Sequence, residues 1–449
     1  MYSVAARARR GGAALLTVTG LYAAAPSPAF AQEPQRGQDA IADPRGFTSI
    51  VLGSGARAFG MGGAFLARAD DATAASWNPA GLSYLRRPEI SIVGVRDGVD
   101  THEVRSNGAL EEGRSVGYAP DLLALAYPIS TRSLSGAVQV SFQRALSFSA
   151  HRTLESAETV RVIDGEGGFD VLAVGSGVRV SRTFRVGATL NRWFHGYTQT
   201  LERQLGRQSI QTTDLRLSGW NLNAGAIWSP FEAFNVGAVG KTPFTAALRL
   251  ARERTDFNPP RGPTTRNAFT SDDLRLDFPG AVGFGVSWRP HSQLTVSTDY
   301  TRTFWSKGRI HNFFTLPPTP TTATTPPVPS APEDFFPNLA YPSLTSGKTR
   351  QKDTEQIRVG MEYVFIRERF KWPVRAGYFS DRQIVTDIEG RAPRYNGVTV
   401  GAGVVIGPLL FDIAFLYESG DFIESNDSQT SIKARKFLAS VIYRNGGGR

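Results

Sequence analysis

The sequence predicts a transmembrane antiparallel β-barrel of about fourteen strands, preceded by an N-terminal plug. Three observations carry that prediction. From about Pro88 to Arg444, apolar residues recur at every second position over stretches often longer than ten residues. The apolar faces of these stretches carry aromatic residues near their ends. The links between them alternate between short and long along the chain.

The N-terminus comes first. Arg7, Arg9 and Arg10 precede an apolar stretch from Ala13 to Ala25, and Ala29-Phe30-Ala31 supplies the small residues of a cleavage site. Residues 1–31 are therefore expected to be a signal peptide cut before Gln32, and Gln32 is not the cysteine of a lipoprotein. The chain of 449 residues has no cysteine and five scattered histidines. No metal site, cofactor or Cys/His catalytic pair is expected, and no GxSxG elbow points to an enzyme. The formal charge of +10 is spread along the chain, without the concentrated aromatic-laced patch of a nucleic-acid groove. No apolar run reaches the length of a spanning helix, so any membrane crossing falls to strands.

The strands show their two faces plainly. In "GWNLNAGAIWS" Trp220, Leu222, Ala224, Ala226 and Trp228 share one face, and Asn221, Asn223 and Gly225 share the other. In "LLFDIAFLYE" Leu409, Phe411, Ile413, Phe415 and Tyr417 oppose Leu410, Asp412, Ala414, Leu416 and Glu418. "GVTVGAGVVIG", "AVGFGVSW" and "IRVGMEYVF" repeat the pattern. Trp220 and Trp228 lie eight residues apart, a rise of roughly 20 Å along a strand tilted by about 40°. That matches the apolar band between the aromatic girdles of a bacterial barrel. Trp220, Trp228, Trp288 and Tyr417 are expected to face lipid.

Link lengths fix the orientation. After even-numbered strands they are short: "STRS", "SPFEA", "RPHS", "IRERFKWP" and "IGP". After odd-numbered strands they are long, at 97–117, 147–167, 252–272 and 307–350. Short periplasmic turns and long outer loops follow this rule, whereas a soluble sandwich has no reason to. The barrel is expected over 87–449, with a Pro/Thr-rich outer loop near 307–350 that cannot form regular strand.

Residues 32–86 read differently. "SIVLGSGARAFG" lacks the third glycine of a dinucleotide fingerprint, and no βαβ unit follows. "ADDATAASW" reads as a short helix that Asp70 or Asp71 is placed to cap, and Pro79 ends it. Glycines permit tight backbone contact. A compact, closely threaded segment ahead of strand one suits the wide lumen of a fourteen-strand barrel, and 32–86 is expected to be its plug or hatch.

The stretch "GARAFGMGGAFLARADDATAASWNPAGLSYL" resembles the N-terminal signature of the FadL-like long-chain fatty-acid transporters and their PorV-type relatives. Arg57, Gly60, Met61, Gly62, Gly63 and Ala64 stand in the R-x-x-G-M-G-G-A run. Ala69, Asp70, Asp71 and Ala72 form the A-D-D-A step, and Asn78, Pro79, Ala80, Gly81 and Leu82 the N-P-A-G-L end. Later barrel stretches, "IRVGMEYVF" and "VTVGAGVVIGPLLFDIAFLYE" among them, are similar too. The resemblance implies an outer-membrane channel of a Gram-negative-type bacterium. It would be a monomer in outer-membrane lipid, passing hydrophobic small molecules such as long-chain fatty acids or hydrocarbons passively. The alternative it implies is a PorV-like protein that binds secreted cargo for a secretion or surface-attachment machine. Two features depart from it: the chain ends in "RNGGGR" beyond Tyr443, and the Pro/Thr loop looks like an addition.

Four charged residues fall on polar strand faces: Asp299, Arg358, Glu362 and Asp412. They are expected in the lumen, because an arginine facing lipid near the midplane costs about 2–4 kcal/mol. Asp299 and Arg358 are expected to pair across neighbouring strands. Asn78 and Pro79 are expected to lock the plug inside the barrel, the amide offering both donors and an acceptor.

Overall fold

The computed structural model describes residues 53–445, apart from 106–109, 133, 149, 156–159, 205–207, 259–261, 312–351, 368–369, 385–390 and 426–427. The expected signal peptide, the start of the expected plug and nearly all of the Pro/Thr-rich loop lie outside the described residues.

Among these residues eighteen hydrogen-bonded segments form one sheet that closes on itself. Four of them continue another segment across a short break, which leaves a closed barrel of fourteen antiparallel strands. We number them β1 (Glu89–Arg105), β2 (Leu110–Ser130), β3 (Ser135–Ser147, continued by Ala150–Glu155) and β4 (Val160–Arg179). Next come β5 (Phe184–Arg203), β6 (Gln208–Phe231), β7 (Phe234–Lys241, continued by Phe244–Asn258) and β8 (Gly262–Phe278 with Ala281–His291). The rest are β9 (Leu294–Thr303, continued by Arg309–His311), β10 (Thr354–Arg367), β11 (Phe370–Arg382), β12 (Arg394–Ile406), β13 (Leu409–Ser425) and β14 (Ser428–Arg444). β1 pairs with β14 in unbroken antiparallel register from Glu89↔Arg444 to Arg105↔Ser428, and this seam removes the last free edge.

The outward faces match the alternation in the sequence. Trp220, Trp228 and Trp288 are 56%, 50% and 53% exposed, while Asn221 and Asn223 beside them are buried. Tyr417 shares the outward parity of Phe411, Ile413 and Phe415 but is half-buried. No helix among the described residues is long and apolar enough to cross a membrane.

The expected long loops need correction. Most of 97–117, 147–167 and 252–272 is strand, because β1–β4, β7 and β8 run on far beyond the aromatic band. These extensions, such as "THEVR" in β1, are mostly polar on both faces. Period-two apolarity therefore cannot report them, although the backbone ladder continues. The asymmetry between the two ends of the barrel is one of strand height.

The breaks have a chemical cause. β7 is interrupted at Thr242-Pro243 and β8 at Pro279-Gly280, and the two interruptions face each other. Proline has no N–H for the ladder. Below the break the buried side chains fall on odd positions such as Val239 and Ala281; above it they fall on even ones, Ala246, Leu248 and Leu250 in β7, and Leu274, Leu276 and Phe278 in β8. A one-residue slip of this kind exchanges the faces of a strand. It brings an apolar group inward on the long-strand side, where Leu217, Trp305 and Ile384 join it.

Candidate functional site

From Gly53 to the start of β1 the chain forms no strand and is almost entirely buried. It contains α1 (Ala56–Gly60), α2 (Ala74–Trp77) and a 3-10 turn over Pro79–Tyr84. Gly62 and Gly63 adopt φ of +66° and +77°, a conformation costly to other residues, and this reverses the chain after α1. Asp71 does not cap α2. Its Oδ1 accepts from the Thr73 amide and hydroxyl at 2.9 and 2.6 Å, and the Thr73 side chain makes no cap bond either. Asp70 pairs with Arg57 instead. Pro79 occupies the first position of the 3-10 turn, and Gly81 lies so close to the Ala69 carbonyl that a Cβ would overlap it. Trp77 is the centre of the segment: its indole N–H donates to the Ser54 carbonyl at 2.7 Å, and Phe59 and Phe65 pack edge-on against it.

The wall meets this segment with bare backbone. Gly177, Gly187, Gly225, Gly237, Gly285, Gly360, Gly377 and Gly401 all present their missing Cβ to it. A methyl group on Gly225 would overlap the Asn78 amide oxygen, and one on Gly360 the Met61 carbonyl. Gly177, Gly187 and Gly225 sit opposite one another across β4, β5 and β6. A Cβ on Gly60 would meet the Gly401 Cα at 3.1 Å and one on Gly401 the Gly60 Cα at 2.9 Å, which explains one glycine of the sequence signature and its wall counterpart together.

Polar contacts fix the segment in place. Asn78 Nδ2 donates to Leu66 O at 2.9 Å, to Ala226 O in β6 at 3.1 Å and to Ala238 O in β7 at 3.4 Å, while its Oδ1 accepts from the Ala80 amide at 3.1 Å. Asp299 is inward as expected, but it does not pair with Arg358 even though the two are register partners. Its Oδ2 takes the amides of Phe65 and Leu66, at 2.6 and 2.8 Å. Arg358 reaches Gly62 O at 3.0 Å and Asp381 at 3.2 Å. The free amides of a non-strand segment outcompete the cross-strand pair, since buried backbone must find partners.

Glu362 is the electrostatic hub. Arg57 Nε, Arg68 Nη2 and Arg375 Nε approach it at 3.3, 2.5 and 2.7 Å, and Arg375 also binds Asp412 at 2.6 Å. Arg57 continues to Asp70 and Asp71 at 2.5 and 3.1 Å. Burial alone would raise the Asp70 carboxyl, but Arg57 and Arg68 together hold it below its ordinary value. All four expected lumen residues are buried and inward. Three of them contact residues 53–86 directly, and Asp412 is linked through Arg375.

Sequence reasoning missed Arg68, Arg375, Asp381, Thr399, Gln139 and Glu89. Thr399 Oγ1 bridges Gly60 O and the Gly62 amide at 3.0 and 2.9 Å. Gln139 and Glu89 hold the Ala72 carbonyl and amide, at 2.9 and 3.0 Å. Arg375, Thr399 and Gln139 lie on the inward parity of their strands, the signal that found the other four.

On the long-strand side of the plug is a cavity. Ala75 and Ser76 form its plug side, and Asn191, Asn221, Asn223 and Lys241 line the wall with Trp193, Phe244, Phe278 and Trp305. The rings form a chain: Trp193 lies 5.4 and 5.5 Å from Phe244 and Phe278, which stack on each other at 4.9 Å, and Trp305 follows at 6.2 Å. Phe244 and Phe278 flank the breaks in β7 and β8, and Trp305 lies in the interruption of β9.

The chain is similar to a FadL homologue of Pseudomonas aeruginosa, at 13% identity and a TM-score of 0.61 over 87% of this chain and 98% of that one. It is similar to the monoaromatic hydrocarbon channel CymD, at 15% identity and 0.57 over 88% and 98%, and to the toluene transporter TodX of P. putida, at 12% and 0.57 over 88% and 99%. No family model and no curated protein matches it. The fold is therefore that of the FadL-type barrels. The expectation of a secretion partner finds no support among these structures.

Proposed function

We propose that this protein, a plugged barrel of the FadL type, is an outer-membrane channel for passive uptake of hydrophobic small molecules, long-chain fatty acids or hydrocarbons among them. The observation that carries the reading is the cavity at the plug. Four aromatic rings converge there, and the break in β7 and β8 continues it into a buried apolar group of leucines. A water-filled porin lumen is polar, and this lining is not. Aromatic walls with a few amides suit an apolar ligand with a small polar end. That the similar barrels are described as a FadL homologue, a hydrocarbon channel and a toluene transporter supports the same reading.

On this reading residues 32–86 are the plug, the short turns face the periplasm, and the protein does no covalent chemistry. An apolar molecule collects on the rings, then passes when the plug yields. The test is uptake by intact cells expressing the protein, of labelled toluene, dodecanoate and a sugar of similar size. Toluene or dodecanoate should enter faster than in cells without it, the sugar should not, and Phe244→Ala with Trp305→Ala should remove most of the gain. Equal uptake of all three would sink the proposal. Mass spectrometry of an organic extract of the detergent-washed protein should find an apolar passenger.

A further inference from the structure

The face of the plug turned toward the short turns borders a second cavity, of a different chemistry. Arg68, Asp70 and Tyr84 of the plug line it, with Arg182 from the β4–β5 turn, Arg185 at the start of β5, Ser229 at the end of β6, Glu232 from the β6–β7 turn and Arg289 at the end of β8. Four guanidinium groups thus meet two carboxylates in one space. Two of these charges are already committed: Asp70 to Arg57, and Arg68 through its Nη2 to Glu362. Of what remains, Arg182, Arg185 and Arg289 face the single carboxylate of Glu232, whose backbone carbonyl already takes one Arg289 N–H at 2.9 Å. Arg185 is held in place: its guanidinium lies 4.1 Å from the centre of the Tyr84 ring, and Nη1 donates to Ser229 Oγ at 3.2 Å. The Nε atoms of Arg185 and Arg68 are buried, and neither has an acceptor among the described residues. A guanidinium stacked and held in place, beside two more arginines with one carboxylate among the three, suits a planar or tetrahedral oxyanion.

We propose that this vestibule is an exit site that binds the oxyanion end of a ligand, a carboxylate or a phosphate. The proposal rests on the uptake reading for its direction, because the vestibule lies on the side where cargo would leave. The two cavities divide the ligand between them: the aromatic one holds an apolar body, and the vestibule captures a charged head once the plug has yielded. Neutral hydrocarbons cross without pausing, and ionised amphiphiles pause.

The experiment is calorimetric titration of the full-length protein in phosphatidylcholine nanodiscs with octanoate, octanol and inorganic phosphate. Octanoate should bind the parent more tightly than octanol. In Arg185→Gln with Arg289→Gln, octanoate affinity should fall about tenfold or more while octanol affinity stays as it was. The corresponding lysine variant should recover part of the loss. Competition by inorganic phosphate would assign the site to any small oxyanion; failure to compete would assign it to amphiphiles whose tail also contributes; either result supports the site. If the double variant does not fold, Arg182→Gln on the exposed turn serves, with a smaller loss in the same direction. Unchanged octanoate affinity in a variant of unchanged thermal midpoint overturns the proposal. The uptake reading fails separately, if octanol does not bind the parent or if Trp305→Ala leaves its binding intact.

Discussion

Asn78 shows what one side chain does in this lumen. Its two N–H groups satisfy carbonyls of the plug and of two wall strands, and its oxygen caps the turn that follows. Alanine at this position strips buried carbonyls of a donor and should cost about 1–3 kcal/mol. The Asn78→Ala barrel should therefore unfold at a lower temperature and show bursts of ionic conductance in planar bilayers, where the parent should be nearly silent. Asp70 gives a second test. Its carboxyl is held below the ordinary value in the folded protein, so its contribution to plug stability is complete above about pH 4 and is lost as pH falls through the lower, folded value. Conductance should stay low from pH 7 to about 4 and rise below it. Asp70→Asn should show the raised conductance already at neutral pH. A flat pH profile in both proteins would show that the Arg57–Asp70 pair does not hold the plug.

The strands were legible where one face is apolar and the other is not. β6, β10, β12 and β13 showed both faces in the sequence because lipid and lumen impose opposite chemistries on alternate residues. The upper reaches of β1–β4 were invisible because polar residues dominate both faces there; the few apolar side chains that turn inward, such as Val99 and Ile163, are too isolated in the sequence to show a period. The breaks in β7 and β8 had a visible sign, Pro243 and Pro279, but the exchange of faces it causes depends on two breaks meeting, which is a property of the pair. The plug elements were legible as small-residue threading. Their partners were not, because a glycine in an alternating strand looks like any other small inward residue. Position decides between them. Gly225→Ala should overpack the wall against Asn78 and cost about 1–3 kcal/mol, with raised conductance. Gly240→Ala, where a Cβ meets nothing within 4 Å, should be silent in both measurements.

At the scale of the whole molecule, plug and wall share one electrostatic system. Arg375 on β11 touches Glu362 and Asp412 on its neighbourhood of strands, and Glu362 touches Arg57 and Arg68 of the plug. Removing one member strands its partners in a buried site, at a cost of about 3–5 kcal/mol. Arg375→Gln should therefore damage the barrel as well as the plug, and its thermal midpoint should fall more than that of Asn78→Ala. Deleting 32–86 should turn the nearly silent protein into one with steady conductance; a folded deletion variant as silent as the parent would refute the plug assignment. The fourteen strands and the lumen charges could be read from the sequence. The pairing of those charges could not, since Asp299 and Arg358 are register partners that each prefer plug backbone to one another.

The glycine-lined wall also bears on the cell envelope as a barrier. Where a porin narrows its pore with side chains rooted in the wall, this barrel gives up much of that space to glycine and keeps mainly the charges of β9–β13 that hold residues 53–86; on the proposed reading the plug fills the rest. A cell carrying the plugless form would therefore possess a hole whose waist is partly bare. Such a cell should become sensitive to bulky hydrophilic antibiotics that the outer membrane normally excludes, and minimum inhibitory concentrations for a glycopeptide would measure it. Refilling the waist, by Gly225→Leu and Gly360→Leu in the plugless form, should restore part of the resistance without restoring uptake of any apolar molecule.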